Sequence, residues 1–210
     1  MSRSADLLML ESDWGEDLVD STSARPFVDG FANALGMTMV YRTFHTGRDL
    51  GHWLREAFRA KAKPRVVYIS SHGDERYLQP SLGTTRIDLR KVLRAATAGS
   101  RRSVSRRPGL VLDCCDIGRD LPGILAAAHG RFAWAMGYRG EVPWIESVIT
   151  SLGFMNYILS GREVPISVGK RGARVRTRST RTCSAEKAAR WVLDDFGIAK
   201  TMGFWAVNAR

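Results

Sequence analysis

The sequence predicts an α/β fold, a mostly parallel sheet with helices packed on both of its faces. Three observations lead there. Strand-like and helix-like segments alternate along the chain. The strand-like segments are continuous apolar runs such as "RVVYIS" and "GLVL", the mark of strands buried on both sides. The helical segments carry apolar residues at three- and four-residue spacing, with Gly, Pro and Ser/Thr at their ends.

Taken in order, residues 6–12 (DLLMLES) form a short apolar strand. Residues 22–36 (TSARPFVDGFANALG) open on a capping Ser/Thr and an early proline and close on glycine, which predicts a helix. Residues 37–44 (MTMVYRTF) are β-branched and aromatic, hence a strand. Residues 46–61 place Leu50, Trp53, Leu54, Ala57 and Phe58 on one helical face. A strand at 65–71 (RVVYISS) precedes an amphipathic helix at 86–97, with Leu89, Val92, Leu93 and Ala96 inward. A strand at 109–114 (GLVLDC) precedes a helix at 120–130, begun by Asp120 and Pro122 and closed by Gly130. Residues 131–138 (RFAWAMGY) are a strand, 143–161 the longest helix, 185–196 the last helix and 202–209 (MGFWAVNA) the last strand. The sum is a three-layer α/β/α sandwich of about six strands. No repeat or long linker divides the chain, so residues 1–210 read as a single domain.

Composition narrows the function classes. Hydrophobic residues make up 44% and charged residues 25%, an ordinary globular balance. No apolar run approaches the roughly 18 residues of a membrane span. The N-terminus turns acidic too early for a secretory signal, so the expectation is a cytoplasmic protein without membrane contact. The three cysteines, Cys114, Cys115 and Cys183, form neither a disulfide framework nor a CxxC pair. His45, His52 and His129 make no metal pattern with them, so no metal or other cofactor is expected. The net charge of +11 is concentrated in two stretches, 100–109 (SRRSVSRRPG) and 170–181 (KRGARVRTRSTR), which lack acids and an apolar period and read as exposed loops. They leave a nucleic-acid partner open, although no aromatics interleave their arginines.

The chemistry concentrates at two strand ends. The third strand stops at His72-Gly73 and the fourth at Cys114-Cys115, with one crossover helix between them. Such a unit sets its strands side by side, about 4.8 Å apart. Ligands of open α/β sheets bind at the carboxyl ends of the strands. A histidine beside a cysteine takes the thiol proton and later returns it to the leaving amine. Alternation along the strand groups Leu110, Leu112 and Cys114 on one packed face, leaving Cys115 to begin the loop as the nucleophile. The backbone N–H groups of Gly73 and Cys115 are candidates for an oxyanion hole.

With those residues in view, "YISSHGD" resembles the strand-then-His-Gly block of the caspase-like cysteine peptidases: caspases, metacaspases, legumains, gingipains and CHAT-domain proteases. "LVLDCCDIG" resembles their second block, and Asp113, Cys115 and Gly118 fill the metacaspase Asp-x-Cys-x-x-Gly positions. The resemblance implies a caspase-like sheet whose last strand runs antiparallel, His72 as general base and acid, and Cys115 as nucleophile. It also implies that "GYRGEVPWIESVITSLGFM" (137–155) supplies a loop lining the substrate groove, with Tyr138 and Trp144 in it. Trp14, also in a loop, is a further candidate for substrate contact. Asp116 departs from the pattern, since a carboxylate after the nucleophile opposes a thiolate.

Specificity follows from charge. The resemblance implies that Asp113, with Glu11 and Asp13 at the end of the first strand, forms an acidic pocket for Arg or Lys. Arg139 lies near where caspases hold an aspartate-binding arginine and pulls the other way. The expected activity is a cysteine endopeptidase cleaving peptides or proteins after a basic residue, gated by a regulatory protein partner, with the two arginine-rich stretches as self-cleavage sites. The alternatives are an inactive caspase-like scaffold that binds a protein, and a nucleic-acid binder.

Overall fold

The structure, a computed structural model, describes residues 5–12, 22–59, 64–80, 85–98, 107–167, 176–180 and 184–209. The elements in chain order are β1 (Leu7–Glu11), α1 (Arg25–Ala34), β2 (Met39–Thr43), α2 (Gly47–Arg59), β3 (Val66–Ser70), β4 (His72–Asp74), β5 (Tyr77–Gln79), β6 (Ile87–Asp88) and α3 (Leu89–Thr97). There follow β7 (Gly109–Asp113), α4 (Leu121–Ala127), β8 (Trp134–Tyr138), α5 (Trp144–Ser160), β9 (Arg162–Ser167), β10 (Arg176–Thr180), α6 (Ala185–Asp195), α7 (Ile198–Thr201) and β11 (Phe204–Asn208).

The apolar runs assemble into a six-stranded sheet of order β11-β8-β7-β3-β1-β2. Five strands are parallel, and β11 runs antiparallel to β8 at one edge. Every residue of β1, β3, β7 and β8 is buried, as their unbroken apolar sequences require. Alternation divides the side chains between two cores. Leu8, Leu10, Val67, Ile69, Leu110 and Leu112 face α2, α3 and α4. Leu7, Met9, Val66, Tyr68, Val111 and Met136 face α1, α5 and α6. The result is the three-layer α/β/α sandwich that the element order predicts. No helix among the described residues is long and apolar enough to cross a membrane.

The expected single-loop passage from β3 to α3 is instead a three-stranded antiparallel sheet, β4-β5-β6. Its strands are two or three residues long, below the length at which an apolar period is visible. The stretch 170–181 is not wholly loop either. Arg176–Thr180 pairs antiparallel with Arg162–Ser167, so that Thr180 lies opposite Arg162. This strand is held by backbone pairing, and the alternation of arginine with Thr and Ser hides it from an apolar pattern. Residues 100–106, 170–175 and 181 of the basic stretches, together with Cys183, lie outside the described residues.

Helix α1 also starts differently from expectation. Its N-cap, Ala24, has no side-chain cap, and Pro26 sits in the first turn. The Ala24 N–H donates to Glu11 Oε1 at 2.7 Å, and Ser23 Oγ donates to Glu11 Oε2 at 2.7 Å. The helix is therefore capped from β1, across the chain.

Candidate active site

Strands β3 and β7 run parallel and adjacent, with Ser70 opposite Asp113. The Ser71 N–H donates to the Asp113 carbonyl at 3.4 Å, keeping the chains abreast beyond the last strand residues. His72 and Cys115 each follow two residues later, on the same rim of the sheet. His72 opens β4, whose next residue, Gly73, lies against the turn carrying both cysteines. A Cβ on Gly73 would fall 2.2 Å from the Cys115 carbonyl oxygen, 3.0 Å from Ile117 Cγ1 and 3.1 Å from Cys114 Cβ. Glycine is thus required there by close approach.

The turn that carries Cys115 is tight. The Ile117 N–H donates to the Cys115 carbonyl at 2.6 Å, and Asp116 between them takes φ 57°, in the left-handed region. A non-glycine residue held there stores about 1–3 kcal/mol of strain. The Asp116 N–H donates to the Gly140 carbonyl at 3.1 Å, tying the turn to the loop after β8. Arg119 Nη2 lies 2.8 Å from Asp116 Oδ1, close enough to pair in charge but out of hydrogen-bonding alignment.

The two thiols point in opposite directions. Cys114 is fully buried in the α2–α4 core and donates to the Ile69 carbonyl at 3.6 Å, and burial pushes its thiol well up. Cys115 is half-buried and rests on the backbone of Val142, donating to that carbonyl at 3.9 Å and accepting from that N–H at 3.4 Å. Burial raises the Cys115 thiol above its ordinary range. The charges of Asp116, Glu141 and Asp113 raise it further, and the Val142 N–H opposes them.

Behind the thiol the registers align Glu11, Ser70 and Asp113 across three adjacent strands. All three are buried. By strand alternation they share the face of Met9, Tyr68 and Val111, towards α1 and α5. Asp113 accepts from Tyr68 Oη at 2.6 Å and from Ser151 Oγ at 3.5 Å. Burial pushes its carboxyl up to about 6, against the Tyr68 and serine hydrogen bonds, while the Glu11 charge adds to the rise. Glu11 is more committed, accepting from Ala24, Ser23 and Tyr41 Oη, the last at 3.0 Å. Ser70 Oγ is enclosed with no hydrogen-bond partner among the described residues.

The remaining expected residues divide. Tyr138 is not in a groove-lining loop: it ends β8, fully buried, with its hydroxyl on the Ser147 carbonyl at 2.7 Å and Ser151 Oγ at 2.8 Å. Arg139 is exposed, and its guanidinium stacks 3.9 Å over the Trp205 ring. Trp144 begins α5, half-buried and edge-on to Phe27 at 5.6 Å, with its indole N–H enclosed and unpartnered among the described residues. Asp13 and Trp14 lie outside the described residues.

Sequence reasoning did not find Tyr68, Ser70, Ser151 or Val142. The strand pattern of "VVYIS" held a signal for the first two, since Tyr68 and Ser70 share parity with His72. Val142 acts through its backbone and left none. The chain matches no protein-family model and no curated protein.

Proposed function

We propose that the protein is a cysteine endopeptidase of caspase-like type that cleaves after a basic residue, with Cys115 as nucleophile and His72 as general base and acid. The observation that carries this reading is the parallel pairing of β3 with β7, which delivers His72-Gly73 and Cys115 to one rim, with Gly73 against the Cys115 turn. In the reaction the Sγ–H proton passes to the imidazole and the sulfur attacks the scissile carbonyl. The Gly73 and Cys115 N–H groups receive the developing oxyanion. The C–N bond breaks as the imidazolium returns its proton to the amine. Water, deprotonated by the same imidazole, then cleaves the thioester.

Basic specificity is supported by the buried Glu11–Ser70–Asp113 row, whose Ser70 hydroxyl has no partner among the described residues. A guanidinium or ammonium group would supply donors to Ser70 and a counter-charge to Asp113. Arg139, expected as the competing acid-binding residue, is engaged on Trp205, which weakens the acidic-substrate reading. We place the protease in the cytoplasm under a gating protein partner, because an ungated protease there is harmful.

A second reading, a catalytically silent scaffold, is favoured by the raised Cys115 thiol and its seat on Val142. A positional peptide library separates the two. Cleavage after Arg or Lys that Cys115→Ala and His72→Ala both abolish is the expected result. An intact library, with no labelling of Cys115 by an acyloxymethyl ketone, would leave the scaffold.

A further inference from the structure

We propose that the substrate's own cationic side chain, on entering the Glu11–Ser70–Asp113 row, releases the Cys115 thiol for attack, so that charge recognition is the trigger of the nucleophile as well as its address. This rests on the basic-specificity reading above.

The geometry around Cys115 carries the inference. At rest the sulfur both donates to and accepts from Val142. A thiol in that pose directs its proton at a carbonyl. The titratable and charged groups around it come from several elements. Asp113 precedes it on β7 and Cys114 adjoins it. Asp116 follows it in the strained turn. Glu141, exposed, adjoins Val142 in the loop after β8. His72 stands on β4, Glu11 lies across the sheet, and Tyr68 and Tyr138 stand behind Asp113 on β3 and β8. Asp113, Asp116 and Glu141 all act against ionisation of the sulfur.

Of these carboxylates, Asp113 is set inside the fold beside a hydroxyl that has no partner among the described residues. A buried unsatisfied hydroxyl costs about 1–3 kcal/mol, which a ligand bearing N–H donors removes. A guanidinium there would give Ser70 Oγ a donor and neutralise Asp113. Asp113 stands two residues before Cys115, close enough for its charge to act on the sulfur. A cation at that spacing, in a desolvated site, favours the thiolate. The sulfur then yields its proton to His72 and leaves Val142. A neutral side chain of the same shape would occupy the row without this effect, so the device rejects it in the chemical step as well as in binding.

The test is the pH profile of Cys115 alkylation by iodoacetamide, with and without agmatine, an alkylguanidinium that has no scissile bond. A Cys183→Ser background and peptide mapping assign the label, and calorimetric titration measures agmatine binding separately. The expected result is an agmatine-dependent fall of the alkylation midpoint by about one pH unit, equivalent to about tenfold faster reaction on the acid side of the profile. Asp113→Asn should lower the ligand-free midpoint and abolish the response. Glu141→Gln, at an exposed position, should lower the midpoint while the response persists. Agmatine that binds and leaves the midpoint unmoved overturns the inference and spares the acidic pocket. Agmatine that does not bind at all overturns the basic-specificity reading, and the inference with it.

Discussion

Replacing Gly73 by alanine puts a methyl carbon 2.2 Å from the Cys115 carbonyl oxygen, with Ile117 Cγ1 at 3.0 Å and Cys114 Cβ at 3.1 Å. The worst of these contacts is with backbone, in a turn pinned by the 2.6 Å bond from Ile117 and the 3.1 Å bond from Asp116. Neither side yields cheaply, because β7 is buried along its length. Restoring ordinary contact requires β4 to lift by about 1 Å, and overpacking of this kind costs about 1–3 kcal/mol. In a chain of this size that corresponds to a melting-temperature loss of roughly 2–12 °C. The same displacement moves His72, the neighbouring residue, and a misplacement near 1 Å costs about 10²-fold in rate. Scanning calorimetry and peptide cleavage, run on Gly73→Ala and on Gly30→Ala, separate this effect from a general intolerance of alanine. Gly30 lies in α1 with nothing within 4 Å of its added Cβ. Gly30→Ala should therefore be neutral or stabilise by up to about 1 kcal/mol. A Gly73→Ala protein that melts with the wild type and cleaves at its rate would refute the placement of β4 against the Cys115 turn.

Two further outcomes are expected. Burial pushes the Asp113 carboxyl up to about 6 in the folded chain, from an ordinary 3.8. The folded state therefore binds the extra proton between those values, and the group's contribution is fully present below pH 3.8 and lost as pH rises through about 6. Urea unfolding of wild type against Asp113→Asn across that window should show a difference of about 3 kcal/mol, and an equal pH dependence in both would contradict it. Ser70→Ala removes a buried hydroxyl without a described partner. It should raise stability by roughly 1 kcal/mol while weakening agmatine binding, and a loss of stability would mean that the hydroxyl is satisfied in the folded protein.

The sheet was legible because burial on both faces leaves unbroken apolar runs, which β1, β3, β7 and β8 all have. The order of elements was legible for the same reason, and the Leu110–Leu112–Cys114 alternation correctly sent Cys114 into the core. The small sheet β4-β5-β6 was hidden because a strand of two or three residues carries no period. The acidic row was half legible. Glu11 and Asp113 were expected at strand ends, while parity in "VVYIS" offered Tyr68 and Ser70 and only the register puts Ser70 between the two carboxylates. Tyr138 was misplaced because the resemblance put it in the groove loop, although the strand pattern of 131–138 already ended on it, as β8 does. The seat of the thiol on Val142 is a backbone contact of a loop residue, and no side-chain pattern announces it.

The choice between enzyme and scaffold turns on where the fold tolerates cost. A chain selected only to fold gains nothing from Ser70, an enclosed hydroxyl at the end of β3 with no partner among the described residues, since alanine would serve better. Asp116, one of three non-glycine residues at positive φ among the described residues, is likewise held at φ 57°, where glycine would relieve the strain. Both features occur on the rim at which β3 and β7 end, within a few residues of His72 and Cys115. A third cost joins them there, since Asp113 is buried at the end of β7 with a carboxyl that burial makes hard to ionise. An incoming cation relieves the hydroxyl and the carboxyl together, and a scaffold surface elsewhere on the molecule relieves neither. Two of these penalties, the enclosed Ser70 hydroxyl and the buried Asp113 carboxyl, would be reversed by one and the same ligand, and that coincidence beside the Cys115 sulfur is what weighs towards a site for a cationic side chain.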